Sequence, residues 1–202
     1  MIKKVAIIGA HGVGKTGLAY ALAAALTSRS ISVELILEIA RELRRVEPEI
    51  VKLDEETTID SQARILEYQF QREIEAEKLG RCEVIICDRS FDNYLYMERK
   101  FGSQQKYEEI IINHLKEHPY TLIVKVPVIS KEIKNDGFRN TDYNFQQDID
   151  ARIELFLKRY GIPHVILPEP VMPNREEWTY IILNKIGYKL RFNGFEFQQK
   201  LI

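Results

Sequence analysis

The sequence predicts an α/β protein: a five-stranded parallel sheet held between two layers of helices. Three observations predict it. Val5-Ala6-Ile7-Ile8 is an uninterrupted apolar run with a glycine-rich exit, which is how a parallel strand buried on both faces reads. Four more short apolar runs follow, separated by segments of helical periodicity, and that alternation builds βαβ units. The length, 202 residues, suits one α/β domain with a small appendage.

The elements follow in order. Residues 15–28 carry Leu18, Ala21, Leu22, Ala25 and Leu26 at helical spacing, so a helix leaves the glycine-rich turn. Residues 32–37 form the second strand, ending at Glu38. A short helix over 39–46 stops near Pro48. Residues 58–79 form a long amphipathic helix striped by Ile59, Ala63, Leu66, Phe70 and Ile74, with Gly80 as its stop. The third strand, 83–87, runs into Asp88-Arg89-Ser90. Helices are expected over 91–100 and 104–117, and a fourth strand over 120–126. Residues 130–143 are polar and read as a loop; 144–160 form a helix closed by Gly161, and 164–167 the fifth strand.

Four of the seven prolines fall between 163 and 173. That cluster divides the chain into a core over 1–170 and a C-terminal extension over 171–202, packed on it. The extension contains a helix over 176–185 and a stretch, 190–197, that alternates around Asn193-Gly194 as a β-hairpin does. Phe192, Phe195 and Phe197 on that hairpin read as additional sheet on the core.

Composition removes several function classes. The chain is 45% hydrophobic and 29% charged, with a formal net charge of −1, which excludes disordered and low-complexity classes. The balanced charge argues against a nucleic-acid partner. Cys82 and Cys87 are too few for a disulfide framework. No run reaches the roughly 20 apolar residues of a membrane span, so no membrane partner is expected. Lys3 and Lys4 before the first apolar run mimic a secretory leader, but Gly9, His11, Gly12, Gly14 and Lys15 interrupt it. The expectation is a cytoplasmic protein. His11, His114, His118 and His164 show no metal-ligand spacing.

Gly9-Ala10-His11-Gly12-Val13-Gly14-Lys15-Thr16 matches G-x-x-x-x-G-K-[ST]. It sits between a predicted strand and a predicted helix, the context this phosphate-cradling loop requires. Its glycines let backbone N–H groups turn toward phosphate oxygens, and the helix N-terminus adds positive partial charge. The nucleotide would therefore lie on Gly9, His11, Gly12, Val13, Gly14, Lys15, Thr16 and Gly17, with the His11 side chain turned away. Lys15 can bridge the β and γ phosphates, and Thr16 can offer its hydroxyl to Mg²⁺. ATP and Mg²⁺ are the expected cofactors.

Over residues 1–170 the chain resembles the P-loop small-molecule kinases. It is most similar to the small AAA-type ATP-binding domains related to ribosylnicotinamide kinase, and more distantly to deoxynucleoside and thymidylate kinases. The resemblance rests on the phosphate loop, on Glu38-Ile39-Ala40-Arg41, on Asp88-Arg89-Ser90 and on Asp136-Gly137-Phe138-Arg139. It implies a three-layer P-loop NTPase fold and phosphoryl transfer to a small acceptor, a nucleoside or nucleotide.

The remaining candidates take their roles from that frame. Asp88, closing the third strand, would hold Mg²⁺ with Thr16; a helix cap is the structural alternative. Glu38 ends the second strand, where ligands of open parallel sheets lie, and could receive the acceptor's proton. Arg41, one turn on, could bind an acceptor phosphate or orient Glu38. Arg89 would face the acceptor, and Arg139, with Lys131 and Lys134 nearby, would close a polar lid over the triphosphate. Gln69 lies in Tyr68-Gln69-Phe70-Gln71-Arg72, which resembles a base-contacting segment of deoxynucleoside kinases. Phe91, Tyr94 and Tyr96 read as packing. The competing function is an ATPase acting as a nucleotide-dependent switch, weakened because Arg89 and Ser90, not a glutamate, follow Asp88. Oligomeric state is left open, a homo-oligomer included.

Overall fold

The computed structural model describes residues 2–48, 56–129, 142–170 and 176–188. Five strands, β1 (Lys3–Ile8), β2 (Val33–Ile36), β3 (Val84–Asp88), β4 (Leu122–Lys125) and β5 (Val165–Ile166), form one sheet. Its order is β2-β3-β1-β4-β5, and each adjacent pair is parallel. Among the described residues seven helices flank it: α1 (Lys15–Thr27), α2 (Ile39–Val46), α3 (Ile59–Leu79), α4 (Tyr94–Phe101), α5 (Gln105–Glu117), α6 (Tyr143–Arg159) and α7 (Glu176–Lys185). This is the predicted three-layer α/β fold.

β1 lies at the centre, and Val5, Ala6, Ile7 and Ile8 are all fully buried. Successive strand residues point to opposite faces, so both faces of β1 are covered and polar alternation is absent from its sequence. The register sets Ile7 opposite Asp88 and Ile8 opposite Lys125. The carboxyl ends of β1, β3 and β4 therefore open at one rim of the sheet.

Helix ends follow local chemistry. Thr58 caps α3 by accepting the Ser61 amide, and Gly80 ends it in a left-handed turn. Asp142 caps α6 by accepting the Asn144 amide. The segment after Ser90 is not one helix. It opens with a 3-10 turn, Phe91–Asn93, before α4, because the Asp92 carboxylate folds back to accept the Ser90 amide at 2.8 Å. α7 packs against α1, and its Trp178, Ile182 and Leu183 join the same apolar cluster as β1. Trp178 donates its indole N–H to the Pro168 carbonyl at 2.8 Å. The 190–197 hairpin lies outside the described residues. Among the described residues no helix is long and apolar enough to cross a membrane.

A second polar set is buried beside the core. Glu73 of α3 is fully buried. It accepts hydrogen bonds from Gln69, Ser90 and Tyr120, pairs with the His114 ring at 3.1 Å, and lies 3.4 Å from the Lys4 ammonium. Burial opposes ionisation here, but His114, Lys4 and Tyr120 hold Glu73 below the usual carboxylate range. Five elements and their flanks are thus tied together by one carboxylate.

Candidate functional site

The loop between β1 and α1 is shaped by glycine. Gly9 has φ +147°, and a Cβ there would lie 2.8 Å from the Val126 carbonyl oxygen; no other residue fits without moving the backbone just after β4. Gly14, at φ +92°, turns the chain into α1, and no side chain caps that helix. Its first amides are left for a ligand at the loop. The His11 side chain turns away from the loop interior: its ring packs 5.1 Å from Phe145 and its Nδ1 lies 3.3 Å from the Tyr96 hydroxyl. The His11 carbonyl accepts from Gln146 of α6 at 2.6 Å. Any contribution of His11 to nucleotide binding is therefore through its backbone.

Lys15 is folded onto its own loop. Its ammonium donates to the carbonyls of Gly9 at 2.8 Å and Ala10 at 2.6 Å. Burial, and next the nearby Arg89 guanidinium, push its pKa down to about 7, against the opposing pull of Asp92, Asp88 and Glu38.

Asp88 is 1% exposed, and neither of its carboxylate oxygens has a hydrogen-bond partner. Burial raises its pKa, while the Lys15 charge and the adjacent Thr16 hydroxyl partly counter it. A buried carboxylate with both oxygens unsatisfied, next to a hydroxyl, is a donor set suited to Mg²⁺. That ion takes one or two carboxylates and keeps several waters.

Glu38 is held by two arginines. Its Oε1 accepts from Arg89 Nε at 2.9 Å and its Oε2 from Arg41 Nε at 2.8 Å. Arg89 is 4% exposed and sits at φ +80°, a strained conformation for a residue with a Cβ. It is locked on every side: its amide donates to the Ile7 carbonyl at 3.1 Å, Nη1 lies 3.4 Å from Asp92, and Nη2 lies 3.5 Å from the Tyr96 hydroxyl. Burial disfavours its charge, but Tyr96, Glu38 and Asp92 keep it firmly protonated.

One cavity of about 160 Å³ is lined by Gly12, Gly14, Lys15, Thr16, Gly17, Glu38 and Arg89. The structure thus brings the phosphate loop together with residues at the ends of β2 and β3. Arg41 stands behind Glu38. Gln69 is not brought there: it is fully buried and donates to Glu73 at 2.8 Å. Arg139, Lys131 and Lys134 lie outside the described residues. The sequence reading takes Tyr96 as packing and gives Asp92 no role, since nothing local links either side chain to the phosphate loop. Only the fold sets them against the loop.

A family model described as an AAA domain matches residues 4–175. Among the solved structures that share the fold are two of NadR protein. The crystal structure of NadR protein in complex with NR superposes with a TM-score of 0.73 at 21% identity, covering 96% of this chain and 54% of that one. The crystal structure of NadR protein in complex with NAD and AMP-PNP gives 0.70 at 20% identity, covering 96% and 52%. The chain spans about half the length of the NadR chains it matches. No curated protein sequence matches it significantly. At this identity the likeness concerns the fold.

Proposed function

The chain belongs to the AAA domain family, and from that premise we propose that it is an ATP- and Mg²⁺-dependent phosphotransferase. Its acceptor is a small molecule bearing a hydroxyl, a nucleoside or nucleotide. The observation that carries this reading is the single cavity lined by Lys15, Thr16, Glu38 and Arg89. Phosphate-binding and acceptor-facing groups share one chamber, as transfer between two bound molecules requires.

In this scheme the loop amides and the N-terminus of α1 seat the triphosphate. Lys15 leaves the Gly9 and Ala10 carbonyls and lies along the transferring phosphoryl group. Thr16 and Asp88 would hold the metal, which when bound neutralises phosphate charge. Arg139 is assigned from the sequence alone to stabilise charge on the transferring group. Glu38 accepts the hydrogen bond and then the proton of the acceptor hydroxyl. Two arginines fix its oxygens, so it is an aimed acceptor rather than a strong base. That suffices for phosphoryl transfer, where positioning and charge dominate.

The charge balance favours a hydroxyl over a phosphate as acceptor. Three donors of Arg89 are engaged by Glu38, Asp92 and Tyr96. Glu38 and Asp92 offset Arg89 and Arg41 in charge, so the acceptor side offers little surplus positive potential. The NR and the NAD with AMP-PNP carried by the NadR structures suggest which nucleosides to test first.

The experiment compares ATP consumption with Mg²⁺ alone and with a panel of nucleosides, nucleotides and nicotinamide riboside. Stimulation by one acceptor, abolished by Lys15→Ala, supports a kinase. Slow turnover indifferent to every acceptor supports the alternative, a nucleotide-dependent ATPase switch.

A further inference from the structure

We propose that Asp92 and Tyr96 are positioning residues that couple the phosphate loop to Arg89, so that order at either side of the cavity is transmitted to the other. The inference rests on the reading of the loop as a phosphate site. Asp92 and Tyr96 are four residues apart and flank the junction of the 3-10 turn and α4, which sets them on one side of that segment. Each reaches both halves of the cavity. Asp92 Oδ2 accepts the Gly9 amide at 3.4 Å and lies 3.4 Å from Arg89 Nη1, while Oδ1 accepts the Ser90 amide at 2.8 Å. The Tyr96 hydroxyl lies 3.3 Å from His11 Nδ1 and 3.5 Å from Arg89 Nη2.

Burial makes these bridges matter. Asp92 is fully buried and Arg89 nearly so. In that environment the carboxylate needs Arg89 and the loop amide together, and losing either leaves the other contact changed. The strained φ of Arg89 is retained only while its surroundings over-determine it; Asp92 and Tyr96 are two of those restraints. Movement of the loop on binding phosphate is therefore felt by Arg89, and through it by Glu38. Neither Asp92 nor Tyr96 lines the cavity, so both act through other residues.

Hydrogen exchange of the full chain, read by mass spectrometry, tests this without any ligand. Asp92→Asn presents an amide where a carboxylate met three donors, from Gly9, Ser90 and Arg89. It should speed exchange in the peptide covering 9–14 by about tenfold, the loss of one charge-assisted hydrogen bond. Tyr96→Phe keeps the ring, folds more safely, and should speed it about threefold. Arg89→Lys should loosen the same peptide about threefold in the wild-type background, and add nothing in the Asp92→Asn/Tyr96→Phe background. The α5 peptide over 105–117 should be unchanged throughout. Unchanged loop exchange in Tyr96→Phe, equal acceleration in α5, or an Arg89→Lys effect that survives in the double variant would each overturn the coupling. Binding of Mg·AMP-PNP to the wild type, in parallel, tests the loop's phosphate reading separately. Failure there with loop exchange behaving as expected would sink that reading and leave the coupling standing.

Discussion

Nucleotide binding should take up a proton, and Lys15 is the group that receives it. In the free protein, burial and Arg89 set the Lys15 pKa at about 7. A bound triphosphate adds negative charge beside the ammonium and returns it toward its ordinary value, about 10.4. The bound state is then the more protonated one, so affinity falls as pH rises. At pH 8 Lys15 is roughly nine-tenths neutral before binding, so binding should take up roughly 0.9 proton. Affinity should drop about fivefold from pH 7 to 8 and about tenfold more from pH 8 to 9. Titration calorimetry of Mg·AMP-PNP between pH 7.5 and 9, in buffers of different ionisation enthalpy, reads the uptake directly. The nucleotide phosphates are fully ionised over that range. Lys15→Arg supplies the control, since a guanidinium stays charged throughout and its uptake should be near zero. An uptake below ~0.2 proton at pH 8, or an equal uptake in Lys15→Arg, would refute the account of a lysine neutralised by its own loop.

Three further outcomes follow from the same contacts. Asp88→Asn removes a buried carboxylate that lacks partners; it should stabilise the protein by about 1 kcal/mol, or roughly 2–4 °C in a thermal melt, while acceptor-stimulated turnover falls at least about 100-fold. The sign agrees with linkage: a raised folded-state pKa means the charged form is the costly one, so the gain is complete above that pKa, shrinks as pH falls through it and vanishes below the unfolded carboxylate value. Gly9→Ala sets a Cβ 2.8 Å from the Val126 carbonyl oxygen at a φ that disfavours side chains and should cost about 2–3 kcal/mol, read from the urea midpoint. Glu73→Gln removes the buried carboxylate that His114 and Tyr120 meet, while Lys4 keeps Glu77 at 2.6 Å, and should cost about 1–2 kcal/mol; because the Glu73 pKa is depressed, the wild type's advantage should be present above the unfolded carboxylate pKa and disappear as pH falls through the depressed value.

The parts of the site that are contiguous in sequence were legible in it. The phosphate loop, Glu38 and Asp88 each sit at the end of an apolar run, where a parallel sheet presents its ligand. Helix α3 announced its start with Thr58 and its end with Gly80. What could not be read were partnerships across the chain. Lys4 and Glu73 are 69 residues apart; each looks solvated in its own segment, and both are buried because they meet. Gln69 was assigned to the acceptor by the segment around it, yet the helix turns it toward Glu73. Nothing in its own segment singles out Asp92, whose side chain accepts the local Ser90 amide. That it also reaches Gly9 depends on β1 and β3 lying side by side.

The first turn of α1 has one more consequence. Helices α3 and α6 begin with side-chain caps, from Thr58 and Asp142, whereas α1 follows Gly14 with none and with no acidic residue in its first turn. The usual route to a sturdier helix, a serine or aspartate at its start, would fill those amides from within. At this one helix, hardening the fold and keeping its ligand seat open are opposed demands on the same atoms. Any drift of this chain toward greater thermal tolerance must therefore be built elsewhere, in α7 or the Glu73 cluster, and leave the amino end of α1 bare.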